Sequence, residues 1–356
     1  MTSAAELSAA AIVVGGGISG MAAAAALVED RPDRRVQVID RGLRLGGRMA
    51  ARTLRSGPWA GHVVDLGAAY FTASDPAFRA VVDRWDALGL ARPWTDTFAV
   101  ADPDGITDTR AGPLRWTAAA GGLRGLVEDL SRQLPASVTI HHPIAVTEVH
   151  REAAGWRLAD SGGRVRWRAA AVGLCMPPTQ AVRLLTDPPS NAAVDAAGSS
   201  LLARALHYRY QPILTVVAQW SRREWDNFDA CFVNGDPVVG FVADDGARRG
   251  DRAAILVAQS TPAFAARFVD APQAAAPELV AGLRRILKVP APIDVEVKRW
   301  RQARPVVRPS SDCCLVDATA SLGIASDAFD DRPRIEAAWL SGRELGTILG
   351  ADARNP

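Results

Sequence analysis

The chain has 356 residues, 48% of them hydrophobic, and its 41 lysines and arginines nearly balance 39 acidic residues, for a formal net charge of +2. This length exceeds the needs of one ordinary domain, so we expect one large or two interleaved domains. The sequence has no long run of charges of one sign, so we expect no nucleic-acid partner and no membrane-surface partner. It shows no basic leader and no apolar run close to the roughly 20 residues that cross a bilayer, so we expect a cytoplasmic protein.

Residues 11–40 predict a strand, a glycine turn, an alanine-rich helix and a second strand, RVQVID, which form one βαβ unit and hence a parallel sheet. Further on, GGLRGLVEDLSRQL predicts a helix, and RAAAVGLCM predicts a strand that ends before two prolines. Residues 205–260 predict consecutive strands separated by turns, and RIEAAWLSGRELGTILG predicts a terminal helix. The pattern indicates a nucleotide-binding α/β domain interrupted by a mostly antiparallel one.

A G-x-G-x-x-G motif, Gly15, Gly17 and Gly20, lies between the first strand and its helix. In this context the first glycine allows a tight turn, the second lets the backbone approach a pyrophosphate, and the third lets the helix pack on the strand. Asp40 follows at the end of the second strand, where a carboxylate can accept hydrogen bonds from ribose hydroxyls. The motif predicts a dinucleotide site and leaves NAD and FAD open.

The segment RGLRLGGRMAAR follows, with Gly46, Gly47 and Arg48 beyond a minimal NAD fingerprint. Two glycines let the main chain run close to a ligand, and an arginine can neutralise a diphosphate or brace the loop. A surface turn is the alternative interpretation of this segment taken alone.

This arrangement resembles the flavin-dependent amine oxidase superfamily, and within it the renalase-like branch. The segments that carry the resemblance are VVGGGISGMAAA, RGLRLGGRMAAR, DLGAAYFT, AAGGLRGLVEDL, AVTEVHREAAGWRL, VKRWRQARP and ASDAFDDRPRIEAAWLSGRELG. The resemblance implies an α/β fold like that of amine oxidases and glutathione reductase. In it, a discontinuous Rossmann-type FAD-binding domain (residues 1–75, 115–178 and 300–356) is interleaved with a mostly antiparallel β substrate domain (residues 76–114 and 179–299).

The resemblance also implies noncovalent FAD, since no cysteine stands at the usual attachment position. The cofactor-binding residues that it implies are Gly15, Gly17, Gly20, Asp40, Arg41, Gly46, Gly47, Arg48, Gly67, Ala68, Val146, Asp327, Ile335 and Glu336. Among these, Val146 would contact the adenine through its backbone, Asp327 would lie at the ribityl and phosphate region, and the helix start at RIEAAW would meet the flavin C2 carbonyl.

Three further residues are the candidate catalytic side chains. Tyr70 lies where the chain should pass near the flavin ring, Trp300 is either a core residue or a substrate wall, and Gln259 stands where renalase-like chains often carry histidine. From its carboxamide we expect a hydrogen bond to a substrate carboxamide. Two other departures from the family pattern, Ser326 and Ala337, replace glycines and would tighten the flavin space.

Charged and sulfur-containing residues give weaker signals. Lys288 and Lys298 are the only lysines and are expected at the surface, and the strand LTVVAQW, where many amine-oxidising relatives carry a lysine, has none. Arg301 and Arg304 either bind an anionic substrate or form a solvated strand end. The four cysteines have neither zinc-ligand spacing nor a CxxC pair, so we expect reduced thiols and no metal site.

The resemblance implies an oxidase that takes a hydride from a non-standard dihydronicotinamide, 2- or 6-dihydro-NAD(P), to flavin N5 and reduces O2 to H2O2. Such a hydride transfer needs little acid–base help, which agrees with a site poor in lysine and histidine. The alternatives are an amine oxidase or flavin desaturase, and a flavin-fold binding protein without turnover. The sequence does not determine the oligomeric state.

Overall fold

A computed structural model describes residues 7–162, 165–186, 196–306, 312–319 and 321–352. The chain divides into two compact units. The first consists of Met1–Gly47, Val127–Arg209 and Pro305–Pro356, and the second of Arg48–Leu126 and Tyr210–Arg304.

The strands are β1 (Leu7–Val14), β2 (Val36–Ile39), β3 (Ala51–Thr53), β4 (Val63–Asp65), β5 (Ala91–Asp102), β6 (Gly105–Ala118), β7 (Val138–His141), β8 (Val146–Glu152), β9 (Gly155–Asp160), β10 (Val165–Leu174), β11 (Tyr210–Gln219), β12 (Ala230–Val233), β13 (Val239–Asp244), β14 (Ile255–Ser260), β15 (Asp294–Pro305), β16 (Leu315–Asp317) and β17 (Leu322–Ile324).

The α-helices are α1 (Ile18–Glu29), α2 (Pro76–Ala87), α3 (Gly122–Arg132), α4 (Pro178–Thr186), α5 (Ala196–Ala205), α6 (Asp245–Arg249), α7 (Pro262–Arg267), α8 (Ala276–Leu287) and α9 (Ile335–Asp352), and short 3₁₀ helices span Gly47–Met49, Pro272–Ala275 and Asp327–Phe329. No helix in the described ranges is long and apolar enough to span a membrane.

The first unit is built on a sheet of strand order β16-β17-β10-β1-β2-β7. Strands β17, β10, β1, β2 and β7 run parallel, while β16 and the β8–β9 pair add antiparallel edges. The strands β1 and β2 flank α1 in the chain, so the predicted βαβ unit is confirmed. Its sheet brings the loop after β1 to the carboxyl end of the parallel strands, where open α/β sheets bind ligands.

Helices α1 and α9 of the first unit pack with their backbones close together. A Cβ on Gly342 would lie 2.0 Å from the carbonyl oxygen of Ser19, and one on Gly346 would lie 2.3 Å from that of Ala23. Only glycine permits this approach, so α9 is locked against the helix that follows the glycine loop.

The second unit contains a seven-stranded sheet of order β15-β11-β14-β13-β12-β5-β6, mostly antiparallel. One face is covered by α7 and α8 and carries the main apolar core. On the other face, Val217, Ile255 and Val257 pack against Leu54 and Leu66. The predicted run of strands over residues 205–260 is therefore confirmed, and its second face holds the segment that follows β4.

The unit boundaries differ from the predicted domain boundaries. Residues 48–75 and 115–126 group with the second unit, and residues 179–209 group with the first. The first two segments group there because they bury apolar side chains on the seven-stranded sheet and its edge. The assignment of one domain to FAD and the other to substrate stays a prediction.

Candidate functional site

The glycine loop after β1 has the conformation that its three glycines predict. Gly15 has a φ of +120° and donates from its N–H to the carbonyl oxygen of Ile39 at 2.8 Å. A Cβ on Gly15 would lie 2.3 Å from the carbonyl oxygen of Cys175, and one on Gly20 would lie 1.8 Å from that of Gly15. These two glycines are therefore required by the protein's own backbone.

Gly17 is different, because its surroundings in the described part of the chain do not require glycine. Its φ of −85° suits any residue, and, apart from its chain neighbours, the one described heavy atom within 4 Å of an added Cβ is the Cα of Gly47, 4.0 Å away. Gly17 is also the N-cap of α1, whose first N–H groups lack intrahelical partners. The open space at Gly17 and Gly47 thus has the features of an anion site: two bare glycines beside a helix N-terminus.

Asp40 fixes this loop through both carboxylate oxygens. Oδ2 accepts from the N–H of Gly16 and Oδ1 from that of Gly42, each at 2.6 Å. The N–H of Gly46 donates to the Gly16 carbonyl oxygen at 2.9 Å, which joins the two glycine segments. A carboxylate has about four lone-pair positions, so Asp40 can still accept ribose hydroxyls.

Other predicted cofactor residues of the first unit lie on its loops and edges. Arg41 is exposed directly after Asp40, and Val146 is the first residue of β8, partly buried, with Asp160 as its register partner on β9. The structure therefore leaves both accessible to a nucleotide without giving either a specific role.

The C-terminal candidates surround the start of α9. This helix begins at Ile335, so Ile335, Glu336 and Ala337 offer the N–H groups of its first turn. The Glu336 side chain is fully buried and pairs with Arg334 at 2.6 Å, which leaves its backbone as the part available to a ligand.

Ser326, one of the departures from the family pattern, has a local role. Its hydroxyl donates to Asp327 Oδ1 at 3.0 Å and accepts from the N–H of Ala328 at 3.3 Å, so it caps the short 3₁₀ helix that begins at Asp327. The serine therefore orients the carboxylate of Asp327.

In the second unit, the segment after β4 is held by the main chain of Arg48. The Arg48 carbonyl oxygen accepts from the N–H of Ala68 at 3.0 Å, and a Cβ on Gly67 would lie 1.9 Å from it. The Arg48 guanidinium donates to the Ala303 carbonyl oxygen at 3.3 Å and lies over the ring of Tyr210, 5.8 Å from its centroid. Gly67 is thus glycine because of protein packing.

The structure brings Trp300 and Gln259 together at this segment. Trp300 Nε1 donates to the Leu66 carbonyl oxygen and Gln259 Nε2 donates to that of Gly67, both at 2.8 Å. Gln259 Oε1 in turn accepts from Arg304 Nη2 at 3.2 Å. The Gln259 amide, which we expected to bind substrate, therefore bridges a main-chain carbonyl and a guanidinium, and retains only its second N–H and second lone pair for a ligand.

Tyr70, the third candidate, belongs to a cluster of aromatic rings that sequence reasoning missed. The rings are those of Tyr70, Trp94, Phe98, Phe232 and Phe241, with centroids 5.2–6.4 Å apart in the contacting pairs. Phe98 is fully buried at the centre, whereas Tyr70 and Trp94 are partly exposed. The alternate spacing of aromatic residues along a strand indicates that their side chains lie on one face of a sheet. The parallel pairing of β5 with β12, which brings these residues together, was not predictable from the sequence.

Lys298 was expected at the surface and is instead half-buried. Its Nζ lies 5.5 Å from the centroid of the Trp300 ring, on the same side of β15, since the two are two residues apart. Burial, together with repulsion from Arg52 and Arg299, lowers the pKa of Lys298. The stem of the lysine packs on the indole, which is why it leaves the surface.

A second missed feature is a network of four buried charges. Arg249 pairs with Asp65 at 2.8 Å and with Asp245 at 3.1 Å, and Arg248 pairs with Asp245 and donates to the Ala69 carbonyl oxygen at 3.0 Å. Burial alone would raise the pKa of Asp245, but the two arginines outweigh it and hold that pKa below its usual value. The network ties α6 to both ends of the segment that contains Gly67.

The cysteines have the chemistry of structural thiols. Burial raises the pKa of the buried thiols of Cys175, Cys231 and Cys314 to about 12 each. Cys313 is an exposed residue, but partial desolvation of its thiol and the charges of Glu344 and Asp330 raise its pKa to about 11. All four therefore stay protonated and weakly nucleophilic at neutral pH.

Together, a unit built on a mostly parallel sheet and an interleaved, mostly antiparallel unit define a two-unit α/β fold. Residues 13–85 match a family model described as an NAD(P)-binding Rossmann-like domain. The whole chain is similar in fold to solved structures of oxidases. Putrescine oxidase bound to putrescine is 15% identical, with a TM-score of 0.71 over 99% of this chain and 100% of that one.

Two further solved structures have the same fold. Cyclohexylamine oxidase from Brevibacterium oxydans IH-35A is 15% identical, with a TM-score of 0.71 over 98% of this chain and 100% of that one. A protein provisionally named protoporphyrinogen oxidase, from Exiguobacterium sp. 255-15, is 15% identical, with a TM-score of 0.74 over 98% and 99%. The predicted fold class is thus confirmed.

Proposed function

We propose that this protein is an FAD-dependent oxidoreductase. The observation that carries the cofactor assignment is the open space at Gly17 and Gly47, which a single Cβ would begin to fill, at the N-terminus of α1. A pyrophosphate fits the N–H groups and the partial positive charge there. Asp40 would accept from the adenosine ribose, and the first turn of α9 would stabilise negative charge on the flavin.

We further propose that the substrate is a 2- or 6-dihydronicotinamide dinucleotide. FAD held by the glycine loop, Asp40 and the first turn of α9 would supply the two-electron acceptor for this oxidation. The hydride of the substrate, one proton from solvent and O2 would then together give H2O2. Within the described residues, the hydrogen bonds of Gln259 and Trp300 involve no histidine and no carboxylate. A site with so little general-base capacity suits a dihydropyridine, because its ring nitrogen drives hydride release and no N–H must be deprotonated.

The residues of the second unit would then position the substrate. Trp300 and Tyr70 offer aromatic surface to a flat ring, and the remaining N–H of Gln259 can donate to a carboxamide oxygen. Two arginines of the charge network hold the segment that contains Gly67 in place. Arg248 donates to the carbonyl oxygen of Ala69, and Arg249 donates to the carboxylate of Asp65.

An amine oxidase or flavin desaturase is the second candidate. The five-ring cluster around Phe98 supports it, because paired aromatic rings suit an apolar amine or a hydrocarbon. Lys298 lies over the Trp300 ring, with its Nζ 5.5 Å from the ring centroid, and burial lowers its pKa. A flavin-binding protein without turnover is the third, and a cytoplasmic location stays a prediction from the sequence.

The test begins with the purified protein. Acid precipitation should release all flavin into the supernatant, and chromatography should identify it as FAD. Aerobic incubation with 6-dihydro-NADP should then consume about one O2 and form about one H2O2 for each substrate, as a two-electron oxidation requires. Flavin that stays in the pellet would contradict noncovalent binding. A protein that holds FAD but is reduced by neither dihydronicotinamides nor amines would favour the third candidate.

A further inference from the structure

The two arginines at the end of β15 are both exposed, but they have different partners. Arg301 is exposed and pairs with Asp270 at 2.8 Å. Arg304 lies three residues further on, hence on the opposite face of the strand, and donates to Gln259 Oε1 at 3.2 Å. Across the described ranges, Arg304 makes no ion pair with a carboxylate. The structure therefore separates the two possibilities that the sequence left open for these residues.

The guanidinium of Arg304 is held in position. Gln259 is anchored by its other amide atom to the Gly67 carbonyl oxygen, so its Oε1 points in a fixed direction toward Arg304. This bond uses one of the five N–H donors of the guanidinium. The Arg304 side chain is exposed, but partial burial of its guanidinium group lowers its pKa. A partly desolvated cation with free donors is a good ligand for an oxyanion.

A second positive charge lies near Tyr70. Arg115 is only 7% exposed, with its Cζ 3.9 Å from the centroid of the Phe98 ring and 5.8 Å from that of Tyr70. It donates to the carbonyl oxygen of Asp96 and, in the described part of the chain, has no carboxylate partner. The nearby carboxylate of Asp229 accepts from Trp94 Nε1 instead. Within the described residues, Tyr70 thus has beside it one guanidinium charge, that of Arg115, which no carboxylate neutralises.

We propose that Arg304, positioned by Gln259, binds an anionic phosphate group of the substrate, and that Arg115 of the same unit adds positive potential. This inference rests on the proposed function, because a dihydronicotinamide nucleotide carries such a phosphate. Gln259 is the positioning residue for Arg304. The same charges repel an alkylammonium ion, so they also select against amine substrates.

The first experiment measures anion binding alone. Inorganic pyrophosphate is titrated calorimetrically into the FAD-loaded protein at low ionic strength, with acetate at matched ionic strength as the comparison. The R304Q variant should weaken pyrophosphate binding about tenfold or more, as expected for loss of a charged hydrogen-bond donor. R304K should restore part of it, Q259L should weaken it less than R304Q, and R301Q should leave it unchanged. Equal affinities in wild type and R304Q, or acetate bound as well as pyrophosphate, would overturn the proposal.

The second experiment compares 6-dihydronicotinamide mononucleotide with the corresponding riboside, which lacks the phosphate. Wild type should prefer the mononucleotide in kcat/KM about tenfold or more, through KM, and R304Q should lose that preference. If neither donor reduces the flavin but pyrophosphate binding still depends on Arg304, the proposed function fails and the anion site stands. If both donors react equally well in wild type, the anion site fails and the proposed function stands.

Discussion

Replacing Gly17 with alanine should separate cofactor binding from folding. Among the residues that the structure describes, and apart from its chain neighbours, the added Cβ meets no atom closer than the Gly47 Cα at 4.0 Å. The backbone at Gly17 is extended, with φ −85° and ψ −177°. Gly→Ala reduces the entropy of the unfolded chain, whereas alanine is a poor N-cap, so these effects offset and the free energy of unfolding should change by less than about 1 kcal/mol.

FAD affinity should respond differently, because the methyl group occupies the space assigned to the pyrophosphate. Overpacking by one methyl costs about 1–3 kcal/mol. Since 1.4 kcal/mol is tenfold in affinity, the Kd for FAD should rise about 5- to 150-fold. The matched variant Gly20→Ala places its Cβ 1.8 Å from the Gly15 carbonyl oxygen and should lower stability as well as affinity.

The assay uses flavin-free protein for both measurements. Quenching of FAD fluorescence on titration gives the Kd, and urea unfolding gives the free energy of unfolding without a contribution from bound ligand. A Gly17→Ala protein that binds FAD as tightly as wild type would refute the placement of the pyrophosphate. One that loses stability as severely as Gly20→Ala would refute the claim that the space is empty of protein.

Three further predictions concern charged groups. Asp40→Ala should weaken FAD binding by about 1–3 kcal/mol, measured by the same titration, while Asp30→Ala should not; equal effects would mean that position 40 has no special role. Arg248→Met should lower the free energy of unfolding by about 3 kcal/mol or more, because it leaves the buried carboxylate of Asp245 underpaired. The control Arg79→Met removes an exposed ion pair and should lower the free energy of unfolding by less than about 1 kcal/mol. The pKa of Asp245 is lower in the folded than in the unfolded protein, so its contribution to stability is present above about pH 4 and is lost as the pH falls through the folded pKa. The midpoint of urea unfolding should therefore fall less steeply with decreasing pH below about pH 4 in Asp245→Asn than in the wild type. An equally steep fall in both proteins would mean that the Asp245 carboxyl does not cause it.

The βαβ unit with the glycine loop was predictable because its signals are local. The spacing of Gly15, Gly17 and Gly20 between an apolar strand and a helix determines a tight turn whose geometry depends on neighbours within about thirty residues. The terminal helix was also predictable, since its apolar positions and its start at Ile335 are features of one continuous segment.

The surroundings of Gln259 could not be predicted, because they depend on long-range pairing. Its amide bonds Gly67, 192 residues away in the chain, and Arg304, 45 residues away. Nothing at position 259 alone distinguishes a glutamine that binds substrate from one that positions an arginine. The unit boundaries differ from the predicted domain boundaries for a related reason. Residues 48–75 follow the glycine motif in the sequence, but they bury apolar side chains on the seven-stranded sheet of the second unit.

The network of buried charges could not be predicted from the sequence for a different reason. Asp65, Asp245, Arg248 and Arg249 resemble ordinary solvated residues in the sequence, and only the contact between the segment after β4 and α6 makes them a network. Buried ion pairs of this kind are retained at a desolvation cost, so hydropathy indicates the opposite location for them.

The most direct measurement of the proposed function is the rate at which the bound flavin is bleached without oxygen. The FAD-loaded protein is mixed anaerobically in a stopped-flow spectrometer with 6-dihydro-NADP, with 2-dihydro-NAD, and with benzylamine and putrescine, and the flavin absorbance is followed. Rapid bleaching by a dihydronicotinamide, little by either amine, and return of the yellow colour on admission of air are the expected results. Rapid bleaching by an amine, with the flavin left yellow by every dihydronicotinamide isomer, would contradict the proposed substrate class and establish the amine oxidase alternative in its place.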